Sequence, residues 1–223
     1  MLDVLVCIPA YNEAESIGRV VTDIKNALQG ANYRILVVSD GSTDDTIRKA
    51  REAGAIAIHK PHSGLAGTFR REMEIAIALK PRVIVHTDAD GQYDARDIRK
   101  LIAEIDNGHD LVLGSRLKGY IQYMPATKKM LNHVATLFIR VLVNRRVTDI
   151  TTGFRAFNVS VAKLPIQSLH TYTAEQVIRA SKAHYKIKSV PANFYIRKDG
   201  NSRLMKTSLH YLFETVKNVR RML

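Results

Sequence analysis

Residues 82–93 read RVIVHTDADGQY, and this stretch decides how the rest of the chain is read. Val83, Ile84 and Val85 are β-branched and predict a buried strand, which stops abruptly at Asp88, Ala89, Asp90 and Gly91. Side chains alternate along extended chain, so Asp88 and Asp90 project to one side at the strand's carboxyl end. Neighbouring carboxylates repel unless a positive group sits between them, and Gln92 adds a neutral oxygen beside them. A divalent ion, Mg2+ or Mn2+, bridging to a diphosphate accounts for this triplet. On the triplet alone a solvated turn in which Asp94 caps the next helix is the simpler account, because D-x-D is short and common.

The same strand, turn and helix unit recurs on both sides. Residues 4–8 predict a strand broken at Pro9, followed by a helix with Ile17, Val20, Val21, Ile24 and Leu28 at helical spacing and Asn12 as its N-cap. Residues 35–38 predict a second strand, ending in SDGSTD (39–44), with a helix through Ile47 after it. A short strand at 55–58, a helix at 65–79, an amphipathic helix at 94–105 and a strand at 111–113 continue the pattern. Such alternation predicts a mainly parallel sheet with helices on both faces. In open α/β sheets ligands bind beyond the carboxyl ends of the strands, where the strand order reverses, and the turns 9–13, 40–42 and 88–92 all fall there. No G-x-G-x-x-G follows the first strand and no G-x-x-x-x-G-K-[ST] occurs, which argues against a dinucleotide oxidoreductase or a P-loop NTPase. Asp40 suits a hydrogen bond to a base or ribose, and suits equally the capping of a helix starting near Thr43.

At 223 residues the chain is long enough for one sizeable core, and its 46% hydrophobic content argues against disorder. The single cysteine, Cys7, lies in an apolar run, so neither a disulfide framework nor a thiolate metal cluster is expected, and a reducing compartment fits. The sequence enters a strand pattern at once, without a secretory signal, and the expected location is cytoplasmic. No apolar run reaches the length of a membrane span. The net charge of +13 is concentrated: residues 111–148 hold seven Lys or Arg and no acid, and residues 203–223 hold five against one Glu. A basic surface serves nucleic acid, an anionic membrane or phosphorylated substrates, and no nucleic-acid reading motif or aromatic platform accompanies this one.

Five segments in order, IPAYNE (8–13), VSDGSTDDT (38–46), DADGQY (88–93), GSR (114–116) and TGFR (152–155), resemble glycosyltransferase family 2 over roughly residues 1–205. Within that family the chain is most similar to polyprenyl-phosphate (dolichol-phosphate) mannosyltransferases and their glucosyl relatives. The resemblance implies a GT-A fold, an α/β architecture with a Rossmann-like sheet, together with a sugar-nucleotide donor, a divalent cation and inversion at the anomeric carbon. It places Pro9, Tyr11, Glu13 and Asp40 on the nucleotide, Asp88 on nucleotide and metal, and Asp90 and Gln92 in the metal shell. It assigns Arg116 to phosphate groups, and Arg197, Ser202 and Arg203 to a segment closing over donor or acceptor phosphate. Two departures stand out. The loop HKPHSGLAG (59–67) lacks the lysine that many relatives carry after the glycine, and Glu72 stands near a position where they have glycine. His59 and His62 in that loop are read as surface histidines rather than metal ligands.

After residue 120 the alternation is lost. Residues 131–143 predict an apolar helix too short to cross a bilayer but able to lie in one, beside Arg140, Arg145 and Arg146. An ordinary core helix is the competing reading. Met205, Leu209, Leu212, Val216, Val219 and Leu223 form a helical stripe beside Lys206, Lys217, Arg220 and Arg221. Residues 1–203 are therefore expected to be the transferase domain, and 204–223 a basic amphipathic helix.

The expected function is transfer of a hexose, mannose before glucose, from a GDP- or UDP-sugar to a polyprenyl phosphate, with the protein peripheral on the cytoplasmic membrane face. A lipid phosphate is already anionic and needs no strong base, whereas a hydroxyl acceptor needs one, for which Asp149 and Glu175 are the candidates. A family-2 transferase acting on a glycan hydroxyl is the alternative, and a basic nucleic-acid-binding module a remote one. A membrane-spanning partner subunit stays open.

Overall fold

In the computed structural model of the chain, residues 2–124, 126–143, 147–169 and 171–197 are described. Strands β1 (Val4–Ala10), β2 (Tyr33–Asp40), β3 (Ile56–Lys60), β4 (Val83–His86), β5 (Leu111–Ser115), β6 (Arg155–Phe157) and β7 (Ile187–Pro191) form one sheet in the order β3-β2-β1-β4-β6-β5-β7. All pairs are parallel except those of β6, which runs antiparallel to both β4 and β5. The helices are α1 (Ile17–Ala27), α2 (Thr46–Glu52), α3 (Leu65–Leu79), α4 (Ile98–Asp106), α5 (Ala126–Val143), α6 (Val159–Ala162) and α7 (Tyr172–Lys182).

Both faces of the sheet are covered, and β1 is buried at all seven positions. A strand covered on both sides gains nothing from polar alternation, which is why residues 4–8 read as an unbroken apolar run. Leu5 and Cys7 turn to one face, against Phe69 and Met73 of α3 and Tyr172 and Val177 of α7. Val4, Val6 and Ile8 turn to the other, against Val21 and Ile24 of α1 and Ile98 and Leu101 of α4. Ile17, Val20, Val21 and Ile24 recur at helical spacing, so a single stripe of α1 meets the sheet.

The antiparallel β6 interrupts the expected alternation. The chain leaves β5 for α5 and returns past residues 147–154 from the carboxyl end of the sheet, so β6 enters between β4 and β5 in the opposite sense. Three further differences are local. The residue preceding α1 is Ser16, not Asn12, which takes a left-handed conformation (φ 51) and uses its side chain between loops. Helix α5 begins at Ala126, before the apolar periodicity starts, because Ala, Lys and Met are good helix formers without being periodic. Asp94 does act as a cap, accepting the Arg96 N–H, but it opens a 3-10 turn, Ala95–Asp97, that leads into α4.

Phe69 joins α3 to the sheet and to α7, its ring centroid 4.6 Å from that of Tyr172 and 6.4 Å from that of Phe157. Phe69→Ala is expected to cost about 3–5 kcal/mol, read as a lower urea midpoint at unchanged slope. A loss below about 1 kcal/mol would show that this face repacks without it.

Candidate active site

β1 lies between β2 and β4, and the chain runs outward through β2 and β3 before jumping back to β4 on the other side. The sheet's strand order therefore reverses at the carboxyl ends of β1 and β4, and the three sequence-predicted turns meet there. The first two are tied together. Asn12 N–H donates to Ser42 Oγ at 3.0 Å, Thr43 N–H to Asn12 Oδ1 at 2.8 Å, and Glu13 N–H to Thr46 Oγ1 at 2.8 Å. Gly41 and Gly91 hold left-handed conformations (φ 79 and 71) that let the turns after β2 and β4 fold back.

Asp88 and Asp90 stand beyond β4 as expected. Burial, and then the neighbouring Asp88 charge, push the Asp90 carboxyl up to about 7. Asp90 Oδ1 accepts the Gln92 N–H at 3.1 Å, and the Gln92 amide donates to the Tyr195 carbonyl at 3.0 Å, which fixes its rotation. Arg197 spans the cleft, donating to Glu13 Oε2 at 2.5 Å and lying 3.9 Å from Asp90 Oδ2. Behind Asp88 the chain has no room for a side chain: a Cβ on Gly153 would lie 2.6 Å from Asp88 Oδ1. Among the described residues no three His, Cys, Asp or Glu side chains converge as a metal cage. Two carboxylates and one amide oxygen fit a hard divalent ion of the kind that takes its remaining ligands from substrate phosphates and water.

The nucleotide candidates sit on the β1 and β2 side. Pro9 is buried within β1, opposite Val38, while Tyr11 is exposed beyond it. Asp40 caps neither Thr43 nor α2. Its carboxylate accepts the Ser63 and Gly64 N–H groups at 2.8 and 2.9 Å and pairs with Lys60, anchoring the loop before α3. Burial opposes its charge, but Lys60 and the Ser63 N–H outweigh that and hold its pKa low. His62 is exposed, as the sequence reading has it, yet it is not remote from the site. Its Nδ1 is 2.9 Å from the Asp40 carbonyl and its ring lies 4.9 Å from that of Tyr11, so His62 and Lys60 border the nucleotide positions.

Arg116 and Asp149, expected in separate roles, are partners. The guanidinium donates to Asp149 at 2.7 and 2.8 Å and to Thr151 Oγ1 at 2.6 Å, and Asp149 also accepts the Arg116 N–H. The pair is buried with Asp149 wholly enclosed, and Arg116 lies over the Phe194 ring at 5.5 Å. Its fork is committed to a carboxylate, so the geometry makes Arg116 a brace of the 114–116 and 149–151 segments and leaves Asp149 without an open face for a base. Glu175 is also committed. It accepts the Gln167 and Ser168 N–H groups and Arg179 Nε, which hold its pKa low against the effect of burial. That set of contacts clamps the loop before α7. Ser202, Arg203 and the 204–223 segment lie outside the described residues, as do Arg145 and Arg146.

Two buried residues received no site role from the sequence. Glu72 of α3 and His86 of β4 face each other at 3.2 Å with no exposed surface on either side chain. Burial raises the pKa of Glu72; for His86 burial works against the charge, and the facing Glu72 together with Asp88 prevails and raises it. The signal in the sequence was Glu72 itself, about two turns into α3 and near a position where the resemblance leads one to expect glycine.

An open sheet whose switch point carries a D-x-D turn, an ordered β2–α2 turn and a buried arginine brace defines a GT-A transferase. The chain belongs to glycosyl transferase family 2, whose description matches residues 5–164. It is 32% identical over 222 residues to the dolichol-phosphate mannosyltransferase of Pyrococcus furiosus, covering 95% of this chain and 62% of that enzyme. It is 34% identical over 210 residues to the UDP-N-acetylglucosamine--dolichyl-phosphate N-acetylglucosaminyltransferase of Methanococcus voltae, covering 82% of each. The fold matches that of glucosyl-3-phosphoglycerate synthase from Mycobacterium tuberculosis, solved with Mn2+, UDP and glucosyl-3-phosphoglycerate. The TM-score is 0.73 at 18% identity, over 97% of this chain and 79% of that one.

A carboxyl whose pKa is raised on folding is favoured in its protonated form, so the folded protein binds more protons than the unfolded chain between about pH 4 and 7. Asp90 therefore removes stability as pH rises through that window, and the loss is complete above it. Asp90→Asn, in chelator, is expected to be more stable than the parent at pH 8, by up to about 4 kcal/mol, and only slightly so at pH 4. Urea unfolding at both pH values checks this, and equal stability at pH 8 would show that Asp90 is not destabilised by its surroundings.

Proposed function

We propose that this chain transfers a hexose, mannose before glucose, from a GDP- or UDP-sugar to a polyprenyl phosphate, working as a peripheral protein at the cytoplasmic membrane face. The observation that carries the acceptor assignment is the engagement of both candidate bases. Asp149 is enclosed by Arg116, and Glu175 by two backbone N–H groups and Arg179. A transfer without a general base calls for an acceptor oxygen that arrives ionised, and a phosphate monoester supplies one at neutral pH.

Asp88, Asp90 and Gln92 would hold Mg2+ or Mn2+, which when bound supplies positive charge to the departing diphosphate. Tyr11, Glu13 and Asp40, with the backbone at Pro9, line the nucleotide. Arg197 reaches both Glu13 and Asp90 and would exchange these partners for phosphate oxygens as the donor settles. Arg116 acts indirectly, holding the 149–151 turn beside Tyr93 and Phe154, whose rings stack at 4.9 Å.

The membrane assignment is supported by α5. Met130, Val134 and Leu137 fall on one face of this helix and are 60, 49 and 62% exposed, with Lys129 exposed beside them. No helix among the described residues is long and apolar enough to cross a membrane. An apolar stripe with an exposed lysine beside it suits shallow insertion at an anionic surface, and the Lys and Arg residues of 204–223 would add about 1 kcal/mol for each one near the lipid. A membrane-spanning partner would serve the same end.

GDP-mannose, UDP-glucose and UDP-N-acetylglucosamine should be screened with Mn2+ or Mg2+ against a polyprenyl phosphate and the matching polyprenol. Product is expected with the phosphate and at least 100-fold less with the alcohol, since ~10²–10⁴ is what a general base contributes. Comparable rates with both would return the assignment to a hydroxyl acceptor. Separately, the chain should co-sediment with phosphatidylglycerol-containing vesicles at low salt and release at high salt, and Leu137→Glu should weaken binding without changing the unfolding midpoint. Indifference to anionic vesicles would sink the membrane reading.

A further inference from the structure

Directly behind Asp88 lie two ionisable side chains that the chemistry above does not use. Glu72 and His86 are wholly buried, and the His86 ring is wedged edge-on between Phe69 and Tyr172 at centroid distances of 5.3 and 5.8 Å. A carboxylate and an imidazole in such surroundings cost stability that two aliphatic side chains would not. The cost is visible: among the described residues neither Glu72 oxygen has a hydrogen-bond partner, although one of them lies 3.2 Å from His86 Nε2.

The other edge of the ring is well aligned. His86 Nδ1 is 2.8 Å from the Gly153 carbonyl, which can only accept, so the proton sits on Nδ1 and Nε2 is left to face Glu72. Gly153 in turn is the residue whose backbone the Asp88 carboxylate lies against, too closely for any Cβ. Four groups are thus in series, from α3 through β4 to the turn before β6 and back to the D-x-D turn. Histidine fixed by a carboxylate on one edge is a device for setting orientation, familiar where the histidine itself binds a metal. Here the ring sets a backbone carbonyl instead.

We propose that Glu72 and His86 are positioning residues of the donor site: Glu72 orients the His86 ring, His86 holds the Gly153 carbonyl, and the Gly153 backbone fixes the rotation of the Asp88 carboxylate. The inference rests on the donor-site reading of Asp88 and Asp90. It also explains the pairing of a glutamate in α3 with a histidine at the end of β4, since either alone would be an uncompensated buried polar group.

Mn2+ binding by the full chain, followed by the paramagnetic resonance of free Mn2+ in the presence of GDP or UDP, tests this. His86→Leu is expected to weaken Mn2+ affinity about tenfold while the affinity for nucleotide in chelator stays within about twofold. His86→Asn, whose amide can still donate to Gly153, is expected to recover most of the loss. A merely structural role would lower both affinities together with the unfolding midpoint, and Asn would not rescue it. Should His86→Leu fail to fold, Glu72→Leu carries the same expectation. Unchanged Mn2+ affinity in a folded leucine variant, a parallel loss of nucleotide affinity, or failure of Asn to rescue overturns the inference. Absence of Mn2+-assisted nucleotide binding by the unmodified chain would instead overturn the donor-site reading, and this inference with it.

Discussion

Two carboxylates held side by side in a half-buried cleft are the constraint around which this molecule is built. Asp90 is pushed up to about 7 by burial and by Asp88, so the site opposes its own ionisation near neutral pH. A chain selected only for stability would not keep this arrangement at the switch point of its sheet. The surroundings reduce the repulsion without removing it. Arg197 comes within 3.9 Å of Asp90 but bonds to Glu13, and the Gln92 N–H gives Asp90 one hydrogen bond. The residual imbalance favours a cation, and a diphosphate-bound divalent ion in the proposed reaction supplies one.

Two other charge pairs are treated differently. Arg116 with Asp149 and Glu175 with Arg179 are saturated pairs, in which hydrogen bonds satisfy the buried charges. A buried ion pair contributes little net stability over an apolar replacement, but removing one partner is costly, so such pairs serve as fixed joints. They tie 114–116 to 149–151 and the 167–168 loop to α7. The contrast separates crowded carboxylates at 88–90 from the two saturated pairs that hold the walls.

Much of this was legible in the sequence, for reasons that can be stated residue by residue. The run from Val83 to Val85 and the apolar stretch 4–8 show their burial directly, because a strand covered on both faces has no polar face to confuse the pattern. The three turns could be placed together because the βα order fixes which ends of the strands they occupy. What was not legible depends on contacts between distant segments. That Asp40 anchors residues 60–64, that Arg116 faces Asp149, and that β6 inserts antiparallel beside β4 are facts of tertiary pairing, and no local periodicity carries them. Asn12 departs from its expected place for a similar reason: its type suits an N-cap, but its side chain is drawn to Thr43 in another turn.

The residues that local rules handle worst cluster on one line through the molecule, from Glu72 and His86 in the core to Gly153, Asp88 and Asp90 at the cleft. A buried glutamate on a helix face, a histidine ending an apolar strand and a glycine beside a carboxylate each break a rule that the rest of the chain obeys. Departures from consistency are expected where function has been weighed against stability. Their contiguity matters more than their number. Scattered violations would be absorbed by the nearest loop, whereas a connected series running from a rigid helix to the proposed metal-binding carboxylates would pass the stiffness of the core to a place where a rotation of a few tens of degrees changes which oxygen faces a ligand.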